Sequence, residues 1–168
     1  MKKVHEAALR DIGLSETPGA EHNERIVKMF ADVGHPNIVD DETSWCAAFV
    51  GSKLKECGLP HLRKLTARSY LQWGEEVPLE KAKLGDIVVF WRGHKDSWQG
   101  HVGFFSGLEG QFIRVLGGNQ SNKVSIARYP VSQLLGVRTV TIEDRQNESK
   151  GGIWARIMEK LFGRKWCR

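Results

Sequence analysis

One cysteine in this sequence is placed where a thiolate could form. Cys46 follows the polar run DETS and precedes AAFV, and apolar residues then recur at helical spacing, which predicts a helix that begins near Cys46. A sulfur in the first turn of a helix lies near unpaired N–H groups and the positive end of the helix dipole, and both favour the thiolate. The alternative is a packing role, because free cysteine is among the most buried residue types.

A cysteine nucleophile that attacks a carbonyl also needs a proton carrier near neutral pH, and histidine is the usual one. Of the six histidines, only His101 opens a predicted strand, in the segment QGHVGFF. Strand alternation would send Val102 and Phe104 to the core and His101 to the opposite face. His101 is therefore the candidate general base.

A third polar group would orient the imidazole by accepting its other N–H. The segment VLGGNQ ends the following strand, and antiparallel pairing of HVGFF with FIRVL would return Asn119 toward His101. Asn119 is the first candidate for this role and Gln120 the second, although Asn119 could also be a plain turn residue. We further expect Trp98, in the polar loop before His101, and Gln120 to contact a substrate.

Two kinds of periodicity predict the elements that position these residues. Apolar residues recur at helical spacing in the first third of the chain, and five short apolar runs bounded by turn residues follow residue 84. Helices followed by closely spaced strands predict an α+β domain, with N-terminal helices packed on a roughly five-stranded antiparallel sheet.

The chain of 168 residues is long enough for one domain and a short appendage. We predict a domain over residues 1–142, a polar linker over 143–152 and a basic amphipathic helix over 153–168. The net charge of +5 is concentrated in residues 150–168, which hold six basic side chains and one acidic one. That distribution does not favour a nucleic-acid partner, whose basic patch would spread over the folded body. The helix could bind an anionic envelope surface or dock on the domain.

The three cysteines, Cys46, Cys57 and Cys167, are too few for a disulfide framework and form no C-x-x-C pair. We therefore expect no metal and no cofactor. The N-terminal segment has no apolar core typical of a signal peptide, and no run is long enough to span a membrane. The expectation is a monomer made in the cytoplasm.

Four motifs together resemble one known family. The segments DETSWCAAFV, LGDIVVFWRG, WQGHVGFF and VLGGNQS, in this order and spacing, are similar to the NlpC/P60 and CHAP superfamily of papain-like cysteine hydrolases, and most of all to its phage and bacterial cell-wall hydrolases. The resemblance extends from about residue 6 to residue 140. It implies a papain-like fold in which Cys46 is the nucleophile, His101 the general base and Asn119 the orienting residue.

The resemblance also implies an activity. Members of this superfamily hydrolyse amide bonds of peptidoglycan, either between the sugar lactyl group and the peptide or within the peptide, through an acyl-enzyme. We expect a phage endolysin that reaches the wall after release by a holin. A secreted amidase toxin that acts between bacteria and a non-catalytic wall-binding module are the alternatives. Two departures favour the CHAP branch: SW precedes the cysteine where many NlpC/P60 members have aspartate, and an amide stands where that branch often has histidine.

Overall fold

The computed structural model describes residues 1–140 of the chain, so the predicted linker and C-terminal helix lie outside the described residues. Three helices come first: α1 (Lys2–Leu9), α2 (Glu24–Asp32) and α3 (Cys46–Glu56). The six strands are β1 (Glu75–Val77), β2 (Ile87–Trp91), β3 (Gly100–Glu109), β4 (Phe112–Gly117), β5 (Ser125–Pro130) and β6 (Leu134–Thr139). Short 3-10 helices span Ala67–Gln72, Leu79–Lys81 and Val131–Gln133. None of the helices within residues 1–140 is long and apolar enough to cross a membrane.

The strands form one sheet in the order β1-β6-β2-β3-β4-β5, with antiparallel pairing between the neighbours. This confirms the α+β class and the antiparallel sheet. The sixth strand is β1, a three-residue segment that pairs with β6 at one edge. Three residues are too short for an alternation signal, so the sequence does not reveal this strand.

The helices cover one face of the sheet. Helix α3 is buried over Cys46–Leu54 and packs on β3, where the rings of Phe49 and Phe104 lie 6.1 Å apart. Val102 and Phe104 point into this same core, as the alternation in β3 predicts. The opposite face carries a smaller apolar cluster that includes Val88 and Phe90. Burial of α3 therefore fixes its N-terminus, and with it Cys46, relative to the central strands.

Candidate active site

Cys46 is the first residue of α3, as the sequence predicts. The N-cap residue is Trp45, which makes no capping hydrogen bond through its side chain. The first hydrogen bond of the helix runs from the Phe49 N–H to the Trp45 carbonyl at 2.8 Å. The N–H groups of the first turn are therefore outside the helical hydrogen-bond ladder and face the site.

His101 lies next to this helix start because β3 extends beyond the end of its neighbour. The register Phe104↔Leu116 leaves residues 100–102 past the last residue of β4, Gly117. In the gap, the backbone N–H of Val102 donates a hydrogen bond to the Cys46 sulfur. The nucleophile candidate thus contacts the backbone of the residue that follows His101 in β3.

The His101 ring is held by Gln120. Its Nε2 lies 3.1 Å from the Gln120 Oε1, while the Gln120 amide nitrogen lies 2.6 Å from the Ser125 carbonyl and 3.4 Å from the Val115 carbonyl. Carbonyl oxygens only accept hydrogen bonds, so the NH2 of Gln120 must face them and its oxygen must face the ring. His101 consequently donates through Nε2–H, and in the neutral ring Nδ1 is left as the basic nitrogen.

This arrangement differs from the first expectation for the third residue. The hydrogen bond of the ring goes to Gln120, the second candidate, whereas Asn119 occupies a left-handed turn position with φ of 56°. Gln120 is also buried, so the expected contact between Gln120 and a substrate is not supported by its position. Ser121 and Asn122 have positive φ as well, and the Gln120 N–H bonds to the Lys123 carbonyl at 3.0 Å. The turn therefore directs the Gln120 side chain toward the backbone of β4 and β5.

An aromatic stack supports the other side of the His101 ring. Tyr129 lies parallel to it, with ring centroids 4.9 Å apart and an interplanar angle of 7°, and Phe90 stacks on Tyr129 at 4.8 Å. Burial lowers the pKa of His101 to about 4, even though the hydrogen bond to Gln120 favours the charged form. At neutral pH the ring is uncharged and can accept a proton through Nδ1.

The thiol environment corrects another expectation. Cys46 is only 5% exposed, and burial raises the pKa of its thiol. Hydrogen bonds from the Val102 N–H and the Ser44 hydroxyl oppose this effect without overcoming it. Burial therefore favours the neutral thiol of Cys46 against the effect of the helix start, as it favours the neutral imidazole of His101.

A cavity of about 390 Å³ opens beside the Cys46 sulfur. One wall consists of residues 65–67, and the other is the loop that joins β2 to β3, which contributes Arg92, Trp98 and Gln99. Trp98 is 76% exposed. The expected substrate contact at Trp98 therefore has the position that it requires, on the rim of the cavity that leads to Cys46.

Two glycines leave the space in which the site is packed. A Cβ at Gly118 would lie 2.4 Å from the Trp45 ring and 2.7 Å from the Phe49 Cβ. A Cβ at Gly117 would lie 3.0 Å from His101 Nε2 and 3.1 Å from Gln120 Oε1. Trp45 is fully buried, and its indole N–H donates to Glu16 Oε1 at 2.8 Å. The absence of a side chain at Gly118 thus leaves room for Trp45, the N-cap of α3. The absence of one at Gly117 leaves room for the His101–Gln120 pair.

The acidic residues before Cys46 have a structural task that the sequence does not reveal. Asp41 is fully buried and accepts hydrogen bonds from the N–H groups of Thr17 and Asn23, both at 2.8 Å. Asp40 accepts from the Thr43 N–H at 2.7 Å. These carboxylates fix the chain that leads into α3. Within residues 1–140, no group of three or more His, Cys, Asp or Glu side chains could hold a metal ion.

Comparisons with solved structures find a likeness to a protein of Staphylococcus aureus. A solved structure from Staphylococcus aureus subsp. aureus Mu50, described as similar to a lipoprotein of the NLP/P60 family, matches with a TM-score of 0.47 and 17% sequence identity. The match covers 83% of this chain and 41% of that protein, so this chain spans less than half of the Staphylococcus protein. No family model and no curated protein matches the sequence.

Proposed function

We propose that this protein is a cysteine hydrolase that cleaves an amide bond of bacterial peptidoglycan. The observation that carries the proposal is the orientation of His101. Gln120 holds the ring with Nε2–H bonded and Nδ1 basic, and the next residue in β3 contacts the Cys46 sulfur. The four motifs similar to NlpC/P60 and CHAP hydrolases supply the substrate class.

The proposed reaction starts from the neutral pair. His101 Nδ1 takes the proton of the Cys46 thiol as the sulfur attacks the carbonyl carbon of the scissile amide. The resulting oxyanion accepts a hydrogen bond from the Cys46 backbone N–H at the start of α3. The imidazolium then gives its proton to the leaving amine, which leaves a thioester on Cys46. A water molecule, deprotonated by His101, attacks the thioester, and the imidazolium returns this proton to the departing Cys46 sulfur as the acid is released.

Burial has opposite effects on this mechanism. The low pKa of His101 keeps the ring unprotonated at neutral pH but makes it a weaker base than an ordinary histidine, since a general base works best with a pKa near the working pH. The same dry surroundings strengthen the hydrogen bonds that hold the oxyanion. General acid–base catalysis by a positioned side chain typically contributes about 10²- to 10⁴-fold in rate. Gln120 acts through His101 and is a positioning residue.

Digestion of purified peptidoglycan tests the proposal, with released fragments identified by mass spectrometry. Wild-type protein should release fragments with new amine and carboxylate ends, and Cys46→Ala should release none. Cys57→Ala is the matched control, because Cys57 is the C-cap of the same helix; this variant should remain active. Undiminished release by Cys46→Ala would refute the mechanism. Binding of the wall without cleavage by the wild type would identify the alternative, a non-catalytic wall-binding module.

The finer assignment is a phage endolysin released by a holin, and its support is the sequence resemblance alone. Expression inside bacteria separates it from a toxin that acts between cells. An endolysin should lyse its host only when a holin is expressed with it, whereas a secreted toxin should harm neighbouring cells that lack an immunity protein. The peptidoglycan fragments would also show whether the lactyl amide or a peptide amide is cut.

A further inference from the structure

Two arginines, Arg68 and Arg92, are associated with the loop that forms one wall of the cavity, and they make different contacts. Arg68 is committed to the loop between β2 and β3: its Nε donates to the Gln99 carbonyl at 2.9 Å and its Nη2 to the Lys95 carbonyl at 2.7 Å. Arg92 lies in that loop and lines the cavity. In the part of the chain that the structure describes, the Arg92 guanidinium forms no ion pair and no hydrogen bond with protein.

Hydrogen bonds within the loop that carries Arg92 fix its backbone. The Ser97 hydroxyl donates to the Arg92 carbonyl at 3.0 Å, and the His94 N–H donates to the same carbonyl at 2.8 Å. Together with the two hydrogen bonds from Arg68, these contacts hold both ends of the loop. Arg92 and Trp98 are therefore presented to the cavity from a fixed backbone.

The charged side chains that line the cavity are of one sign, positive. Its described lining includes the hydroxyl residues Ser44 and Thr66, the amide of Gln99 and the guanidinium of Arg92, but no carboxylate. The positive charge of Arg92 is felt at both reacting groups, since after burial it is one of the contributions that lower the pKa of His101, and it also acts to lower that of Cys46. Arg92 is exposed and lines a cavity that contains no carboxylate, so its guanidinium is available to an anionic group of a ligand bound there.

We propose that Arg92 is a specificity residue that binds a peptide carboxylate of the substrate next to the scissile amide. The inference rests on the proposed function and deepens it, because it selects wall peptides with free carboxylates over those with carboxamides. A guanidinium matches a carboxylate with two parallel N–H···O hydrogen bonds. The bound carboxylate would also offset the repulsion that Arg92 exerts on an imidazolium at His101, which favours the proton transfer in the reaction.

The test compares purified peptidoglycan before and after its carboxyl groups are converted to primary amides with a carbodiimide and ammonium. Wild type should cleave the amidated wall about tenfold less efficiently, mainly through KM, a change equivalent to about 1.4 kcal/mol. Arg92→Gln should cleave both walls at the slower rate with nearly the same efficiency. Arg92→Lys should recover part of the preference, since it keeps the charge and loses the fork.

Arg114→Gln is the matched control, since Arg114 is an exposed arginine of β4 outside the cavity. It should keep the wild-type preference for the free carboxylate. An unchanged tenfold preference in Arg92→Gln would overturn the assignment of Arg92, and so would equal cleavage of the two walls by wild type. In either case the proposed hydrolase activity would stand.

If wild type cleaves neither wall, the proposed function fails and the carboxylate site is judged by binding. Muropeptides prepared with a muramidase, with and without amidation, are titrated calorimetrically into Cys46→Ala. Tighter binding of the carboxylate form that disappears in Cys46→Ala/Arg92→Gln would support the site. Equal binding of both forms would overturn it.

Discussion

The two sides of the candidate site are built by different means. The back wall consists of His101, Gln120 and Tyr129, which lie in β3, directly after β4 and in β5, and are fixed by ring stacking and hydrogen bonds. The rim consists of Arg92, Trp98 and Gln99, which lie on the loop between β2 and β3. Hydrogen bonds to the backbone carbonyls of this loop fix its conformation. Chemistry that depends on one proton position needs the rigid wall, whereas recognition of a substrate needs side chains that reach solvent.

The largest expected effect distinguishes two neighbouring residues of the back wall. Gln120→Ala should lower kcat about 100-fold, because loss of the Oε1 acceptor releases the ring orientation and most of the general-base contribution with it. Asn119→Gly should leave kcat within about twofold, since glycine readily adopts the positive φ at this position. Steady-state kinetics on soluble wall fragments measures both. A larger loss in Asn119→Gly than in Gln120→Ala would return the orienting role to Asn119.

The burial of His101 makes the back wall sensitive to acid. The pKa of His101 is about 4 in the folded protein, below the ordinary value near 6.5, so the unfolded chain binds the proton first and stability falls as pH drops below about 6.5. Between about pH 7.5 and about pH 5 this histidine should cost about 2 kcal/mol of unfolding free energy. Urea titrations at both values measure the loss.

His101→Asn should lose less stability than wild type over the same pH interval, because the titrating group is gone. The comparison is made within each variant, so any pH-independent cost of the substitution cancels. His94→Asn, in the exposed loop, should show the full wild-type loss. A wild-type loss that persists in His101→Asn would assign the acid sensitivity to other groups.

The junction between the back wall and the helix start is tightly packed. Gly118→Ala should lower the unfolding free energy by about 1 to 3 kcal/mol, since the new methyl group would overlap the Trp45 ring. Gly110→Ala is a useful contrast, because a Cβ there meets nothing within 4 Å and the cost comes from its φ of 59°. Activity should fall with Gly118→Ala alone. Equal stability of Gly118→Ala and wild type would mean that Trp45 can move aside.

The smallest effect is expected at the rim. Trp98→Ala should raise KM about fivefold and leave the unfolding free energy within about 0.5 kcal/mol, because the side chain is 76% exposed and supports no core. Trp73→Ala, at a buried position, should instead destabilise the protein by about 3 to 5 kcal/mol. A marked loss of stability in Trp98→Ala would show that the loop is part of the core.

The pattern of apolar residues predicted more of the fold than of the site. Five strands and the helix that begins near Cys46 follow from periodicity, since burial of one face is a local property of the sequence. The partner of His101 does not follow from it. Asn119 and Gln120 are adjacent, and the choice between them depends on the positive φ values at residues 119, 121 and 122. Tyr129 stacks on His101 from a strand whose alternation gives no sign of the contact.

By itself the sequence determined that a cysteine starts a helix, that a histidine starts a strand, and that helices precede an antiparallel sheet. Only the tertiary structure decided that Gln120 makes the hydrogen bond to the His101 ring, that burial raises the pKa of the Cys46 thiol and that Arg92 lines the cavity. The physical reason is the separation along the chain over which each property is set. Helix and strand patterns depend on neighbours a few residues away, whereas desolvation and hydrogen-bond partners depend on which distant segments the fold brings together.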